Sequence, residues 1–151
     1  MIDFKKYWHV FQDFCFKLTA NTISLDEGAN IESWDRVKNF YEKIPLKEED
    51  FQIRLDIVNL IKNIQEKGYD KMVYAYTSHY WLRIEKYDPN DNRPWRSRRC
   101  LGGMCIDWSD GGMSVRISIR DERERIFASI ELCPEFEQLL ERLGNVQTYD
   151  S

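Results

Sequence analysis

Between Arg93 and Arg99 the chain reads RPWRSRR, four arginines within seven residues with no acid among them and Trp95 in their midst. Guanidinium groups grip phosphate or carboxylate oxygens two at a time and stack on aromatic rings. Arg93, Trp95, Arg96, Arg98 and Arg99 therefore form a candidate contact site for a phosphate backbone or an acidic protein surface. The bland counterpart is a solvated loop whose arginines pair with the protein's own carboxylates, because a run of one charge is most often a solvated face.

A second set of residues is spread over alternating stretches. Trp81, Arg83 and Glu85 share one parity, and so do Arg116 and Arg120. With Asp107 and Glu131 they could form cross-strand ion pairs, each worth roughly 0.2–1 kcal/mol. They could equally form a mixed-charge docking face anchored by Trp81 and Phe127, since Trp and Arg dominate binding hot spots. Two large aromatics on the side expected to meet water favour docking.

Catalytic chemistry is less well supplied. Cys100 follows Arg98 and Arg99, a setting that would lower a thiol pKa, and His79 is a base that could approach it if their strands are neighbours. No third orienting group is apparent, so the bland reading is a thiol at a strand entrance. Glu85, Asp107 and Glu131 are the carboxylates an enzyme would have to use. No H-E-x-x-H, C-x-x-C, P-loop, G-x-S-x-G or G-x-G-x-x-G pattern occurs, and Asp107-x-x-Asp110-Gly-Gly lacks the ligand spacing of a calcium loop. No metal and no cofactor is expected.

The composition agrees with a packed binding domain. The 151 residues are 42% hydrophobic and 32% charged with only 7 Gly and 4 Pro, which suits one domain that buries a core without staples. Aromatic content is 14%, with 8 Tyr and 5 Trp, more than a small core usually takes and of the types enriched at recognition surfaces. A net charge of −4 disfavours general nucleic-acid binding, which relies on a basic field. No apolar run reaches the roughly 20 residues of a membrane span. The charged N-terminus does not read as a signal peptide, so the chain is expected to start at Met1 in the cytoplasm with its four cysteines reduced.

Periodicity supplies the elements that must position these residues. Phe4, Tyr7, Trp8, Phe11, Phe14, Cys15 and Leu18 make an apolar helical stripe over 3–19, and 19–30 reads as a loop. Ser33 is the expected N-cap of a second helix carrying Trp34, Val37, Phe40, Tyr41 and Ile44. A third helix follows Glu48, Glu49 and Asp50, bears Phe51, Leu55, Val58, Ile61 and Ile64, and ends at Gly68; its broad face makes it the expected main partner of the sheet. The period then changes to two. Strands are expected over 72–77, 80–87 and 101–108. A hairpin at Ser109-Asp110-Gly111-Gly112 leads to a fourth, with Val115, Ile117 and Ile119 inward. A fifth has Ile126, Ala128, Ile130 and Leu132 inward. Pro134 opens a last helix with Phe136, Leu139, Leu140 and Leu143, followed by Gly144.

The expectation is an α+β domain over 1–144: three N-terminal helices on one face of a four- to five-stranded antiparallel meander, with a C-terminal helix and a flexible tail over 145–151. The functional expectation is a non-enzymatic cytoplasmic protein-binding module of toxin-immunity or inhibitor type, acting through the exposed sheet face and the Arg/Trp loop on a toxin or effector. Nucleic-acid or nucleotide-phosphate binding through the 93–99 loop is the alternative, with Trp95 stacking on a base. A hydrolase-type enzyme using Cys100 and His79 or the sheet carboxylates comes third.

Overall fold

The computed structural model describes residues 25–94, 97–109, 111–119 and 122–147. The aromatic stripe expected over 3–19 lies outside them. Helix α1 spans Leu25–Lys43, α2 spans Phe51–Glu66 after a 3-10 turn at Glu48–Asp50, and α3 spans Pro134–Gly144. Between α2 and α3 come β1 (Tyr74–Ser78), β2 (Trp81–Tyr87), β3 (Cys100–Ser109), β4 (Gly112–Ser118) and β5 (Arg125–Phe127). The five strands pair antiparallel in chain order, so the expected meander is present with its full five strands. Among the described residues no helix is long and apolar enough to cross a membrane.

One side of the sheet is the core. Ala75, Leu82, Ile84, Met104, Ile106, Met113, Val115 and Phe127 are buried there with Trp34, Tyr41, Ile61, Phe136 and Leu140 from the helices. The expected inward phase of Val115 and Ile117 holds. Gly111 takes φ 80 beside the Ser109 to Gly112 pairing, and Gly68 takes φ 82 after α2, both the left-handed geometry that glycine adopts without a Cβ penalty. Pro134 opens α3, and its stripe of Phe136, Leu139, Leu140 and Leu143 is buried.

Several expectations need correction. Residues 25–30 are helical, and Ser33 lies inside α1 rather than capping it. Gly28 and Asn30 weaken local helix propensity, but tertiary bonds override it. Asn30 Nδ2 donates to the Lys71 carbonyl at 3.0 Å, and Trp34 Nε1 donates to that of Val73 at 2.9 Å. Ser33 Oγ donates to the Asn30 carbonyl at 2.6 Å and accepts the Ala75 N–H at 2.9 Å. These bonds seal the edge strand β1 with α1, an edge that would otherwise present unpaired backbone. Consequently α1, not α2, makes the main helical contact with the sheet, and α2 packs on α1 with Phe51 and Leu55 left 42% and 54% exposed.

The first strand starts at Tyr74, because Tyr69–Lys71 form a 3-10 turn and Met72 follows it. The fifth strand is three residues long and opposite in phase to expectation. Phe127 pairs with the inward Met113 and is buried against Phe136, their ring centroids 5.7 Å apart, while Ile126 is 84% exposed and Ala128 is exposed in the bend beyond. Gly144 ends α3 rather than following it, and it packs so closely on Met72 that a Cβ there would stand 2.5 Å from Met72 Cε. Of the expected tail, 145–147 are placed, with the Val146 N–H on the Leu143 carbonyl.

Candidate docking face

The side of the sheet opposite the core carries Trp81, Arg83 and Glu85 on β2, Gly103, Cys105 and Asp107 on β3, and Ser114, Arg116 and Ser118 on β4, as period-two alternation requires. All described helices contribute to the core cluster on the other side, and among the described residues no helix lies over this outer face. A trough of about 700 Å³ runs across it, lined by Trp81, Arg83, Glu85, Cys105, Arg116 and Ser118 among others. Its floor is Gly103, paired with Glu85 on one side and Ser118 on the other. The missing side chain makes the depression: a Cβ on Gly103 would stand 3.2 Å from Glu85 Cγ.

Hydrogen bonds fix the acid in this trough. Glu85 accepts one from the Tyr76 hydroxyl at 2.7 Å on Oε1 and one from the Tyr87 hydroxyl at 2.6 Å on Oε2. Burial, and then the bond to Glu85, push the Tyr76 phenol up to about 12 and raise that of Tyr87 as well. The ring of Tyr74 meets that of Tyr87 edge-on at 5.6 Å and closes this corner. At the opposite corner the Arg116 guanidinium lies 5.7 Å from the centroid of the Trp81 ring, a cation–π arrangement that holds both side chains over the trough. Among the described residues neither Arg83 nor Arg116 has a carboxylate at ion-pair distance. Of the sequence-derived site, Trp81, Arg83, Glu85 and Arg116 thus come together.

The basic loop is built differently. Asp91 accepts from Arg93 Nε at 3.0 Å, from Arg93 Nη2 at 2.6 Å and from the Arg99 N–H at 2.8 Å, contacts that hold its carboxyl far below the usual range. Arg98 pairs with Asp26 on α1 and donates from Nε to the Arg93 carbonyl at 3.1 Å. The Asp88 N–H meets the Arg99 carbonyl at 2.8 Å and closes the loop base. Arg93 and Arg98 therefore organise the loop and fasten it to α1. Trp95, Arg96 and Arg120 lie outside the described residues.

The Cys100 and His79 pairing is separated. Cys100 pairs with Tyr87 at one end of β2, whereas His79 sits in the turn at the other end, beyond Trp81. About six strand steps, from Trp81 to Tyr87, at about 3.4 Å each hold them roughly 20 Å apart. Burial, and then Glu85, push the Cys100 thiol up rather than down, and its S–H donates to the Gly102 carbonyl at 3.3 Å. His79 instead serves the turn, where φ is 58. The next carbonyl, of Tyr80, is gripped by the Tyr41 hydroxyl at 2.8 Å and Trp108 Nε1 at 3.0 Å. Phe127, the second expected anchor, belongs to the core, and Glu131 lies in the bend after β5. Cys100, Cys105 and Cys133 are free thiols, and among the described residues no three His, Cys, Asp or Glu gather closely enough to hold a metal ion.

Sequence reasoning put Ser118 and Tyr87 on this side by alternation but missed Gly103, Cys105 and Tyr76. A glycine inside a strand was the one available signal, since it marks close approach or a recess. No protein-family model, curated protein or solved structure matches the chain, so the geometry of this face is what speaks for its function.

Proposed function

We propose that the chain is a non-enzymatic cytoplasmic protein-binding module, of toxin-immunity or inhibitor type, that meets its partner with the outer face of the sheet. One observation carries the reading. Beside a trough of about 700 Å³, Trp81 remains 36% exposed with Arg116 stacked on it and Arg83 next along the strand. Trp and Arg around a recess are the ingredients of a binding hot spot, where a few anchors fill or frame a pocket and surrounding contacts exclude water. The Tyr76 and Tyr87 hydroxyls add rigid amphipathic rings at the rim. The nucleic-acid reading draws less from the geometry, because Arg93 and Arg98 are engaged by Asp91 and Asp26.

The test uses the tagged full chain as bait in extracts of its native host, in parallel with Trp81→Ala, Arg116→Glu and a control, Lys62→Glu, placed on the exposed side of α2 away from the face. A stoichiometric protein retained by wild type and by the control but lost from the two face variants is the expected result. Capture of no stoichiometric protein, or of one indifferent to Trp81 and Arg116, overturns the proposal.

A further inference from the structure

Cys105 stands opposite Arg83 on β2 and opposite Arg116 on β4, one continuous row across three strands. Neighbouring strands lie about 4.8 Å apart, so the two arginines leave the sheet roughly 10 Å from each other with the thiol midway. Two like charges on one row of a recess favour an anion between them. The protein does not provide one among the described residues: Glu85 is held by the Tyr76 and Tyr87 hydroxyls, and neither arginine is ion-paired. The row is bracketed along the strands by acids, Glu85 two residues from Arg83 and Asp107 two residues from Cys105.

We propose that the Arg83–Cys105–Arg116 row seats a single carboxylate side chain, an Asp or Glu of a protein partner, gripped by both guanidiniums above Cys105 with its stem against Trp81. The proposal rests on reading this face as protein-binding and names what the partner must offer. Arginine favours carboxylate because its planar fork matches two oxygens. The bracketing acids select against a polyanion, since a nucleic-acid strand along the trough would set successive phosphates against Glu85 and Asp107. A lone acid among uncharged or basic neighbours complements the whole pattern.

Cys105 reports on this seat directly. Iodoacetate brings a carboxylate to the thiol and iodoacetamide brings a neutral group of nearly the same size; in each case the thiolate sulfur displaces iodide and forms one C–S bond. Folded full-length protein is treated with each reagent, and the rate at every cysteine is read by peptide mass spectrometry. The iodoacetate-to-iodoacetamide ratio at Cys105 should exceed that at Cys133 several-fold, because Arg83 and Arg116 flank the Cys105 position on both sides. It should fall to the Cys133 level in Arg83→Gln and Arg116→Gln, and Arg83→Lys, which keeps the charge, guards against misfolding of the neutral variants. Acetyl-Ala-Glu-Ala-amide should shield Cys105 from iodoacetamide, while its Gln counterpart should not.

Equal ratios at Cys105 and Cys133 in wild type overturn the seat. So does a thymidine oligonucleotide that shields Cys105 at lower concentration than the Glu peptide, which would make it a phosphate site. Should the carboxylate preference be absent while Trp81→Ala still releases the captured partner, the seat fails and the protein-binding reading stands. Should the preference be present while face variants keep their partner, the seat stands and the reading fails.

Discussion

Replacing Ser33 separates two physical roles for one hydroxyl. As an N-cap, Ser would exchange for Asp at nearly no cost, since both are favoured there. In the structure Ser33 is 1% exposed and bridges α1 to the edge of the sheet, donating to Asn30 and accepting from Ala75. Ser33→Ala removes the acceptor of a buried N–H, a loss of about 1–3 kcal/mol. At roughly 2–4 °C per kcal/mol for a chain of this size, a 2 kcal/mol loss lowers the melting temperature by about 4–8 °C. Ser33→Asp is worse, because a buried carboxylate would face the Asn30 carbonyl where the hydroxyl now donates; an uncompensated buried charge costs about 3–5 kcal/mol. Urea unfolding followed by tryptophan fluorescence and far-ultraviolet circular dichroism measures both, with an unchanged denaturant slope as the check on two-state behaviour. A Ser33→Asp protein as stable as wild type would refute the bridging role and return Ser33 to a helix start.

Titration tests two further features. Tyr41, Tyr69, Tyr76 and Tyr87 are all raised, chiefly by burial, Tyr76 to about 12. A folded value above the unfolded one of 10.0 means stability present below pH 10 and lost as pH rises through the folded values. Tyrosinate absorbance should therefore develop in two stages, the later one together with loss of circular dichroism; a single smooth curve completed before the fold opens would contradict the burial of these hydroxyls. Asp70 presents the acid case. It is buried, its Oδ1 has no hydrogen-bond partner among the described residues, and burial raises its pKa. Its protonated form is the stabilising one, so that contribution is lost as pH rises through the folded value. Asp70→Asn should gain about 1–2 kcal/mol at neutral pH and almost nothing in acid; equal effects at both would show that charge is not the cause.

Parts of the fold could be read because they are local. The turn at Gly111, the alternation of Leu82 and Ile84 against Arg83 and Glu85, and the stripe of α3 each follow from a few adjacent residues. Where long-range contacts decide, the reading failed. Gly28 and Asn30 look like loop until Lys71, Val73 and Ala75 arrive from the other side of α2 to receive α1. Phe127 and Ile126 are both apolar neighbours, and only pairing with Met113 determines which turns inward. The candidate site shows the same division. Parity put Trp81, Arg83, Glu85 and Arg116 on one face, but alternation carries no register, so the row through Cys105 could not be foreseen. In the basic loop the arginines are plain in the sequence, whereas the acid that holds Arg98 is Asp26, 72 residues away.

The central claim is that a protein partner sits on the outer face against Trp81 and Arg116. Calorimetric titration of the purified partner into wild type and Trp81→Ala tests it most directly. Loss of a hot-spot tryptophan removes about 2 kcal/mol or more, which is a rise in Kd of roughly 30-fold. A change of that size with the melting temperature preserved is the expected result; a Kd within about two-fold of wild type, less than about 0.5 kcal/mol, would place the partner elsewhere on the molecule.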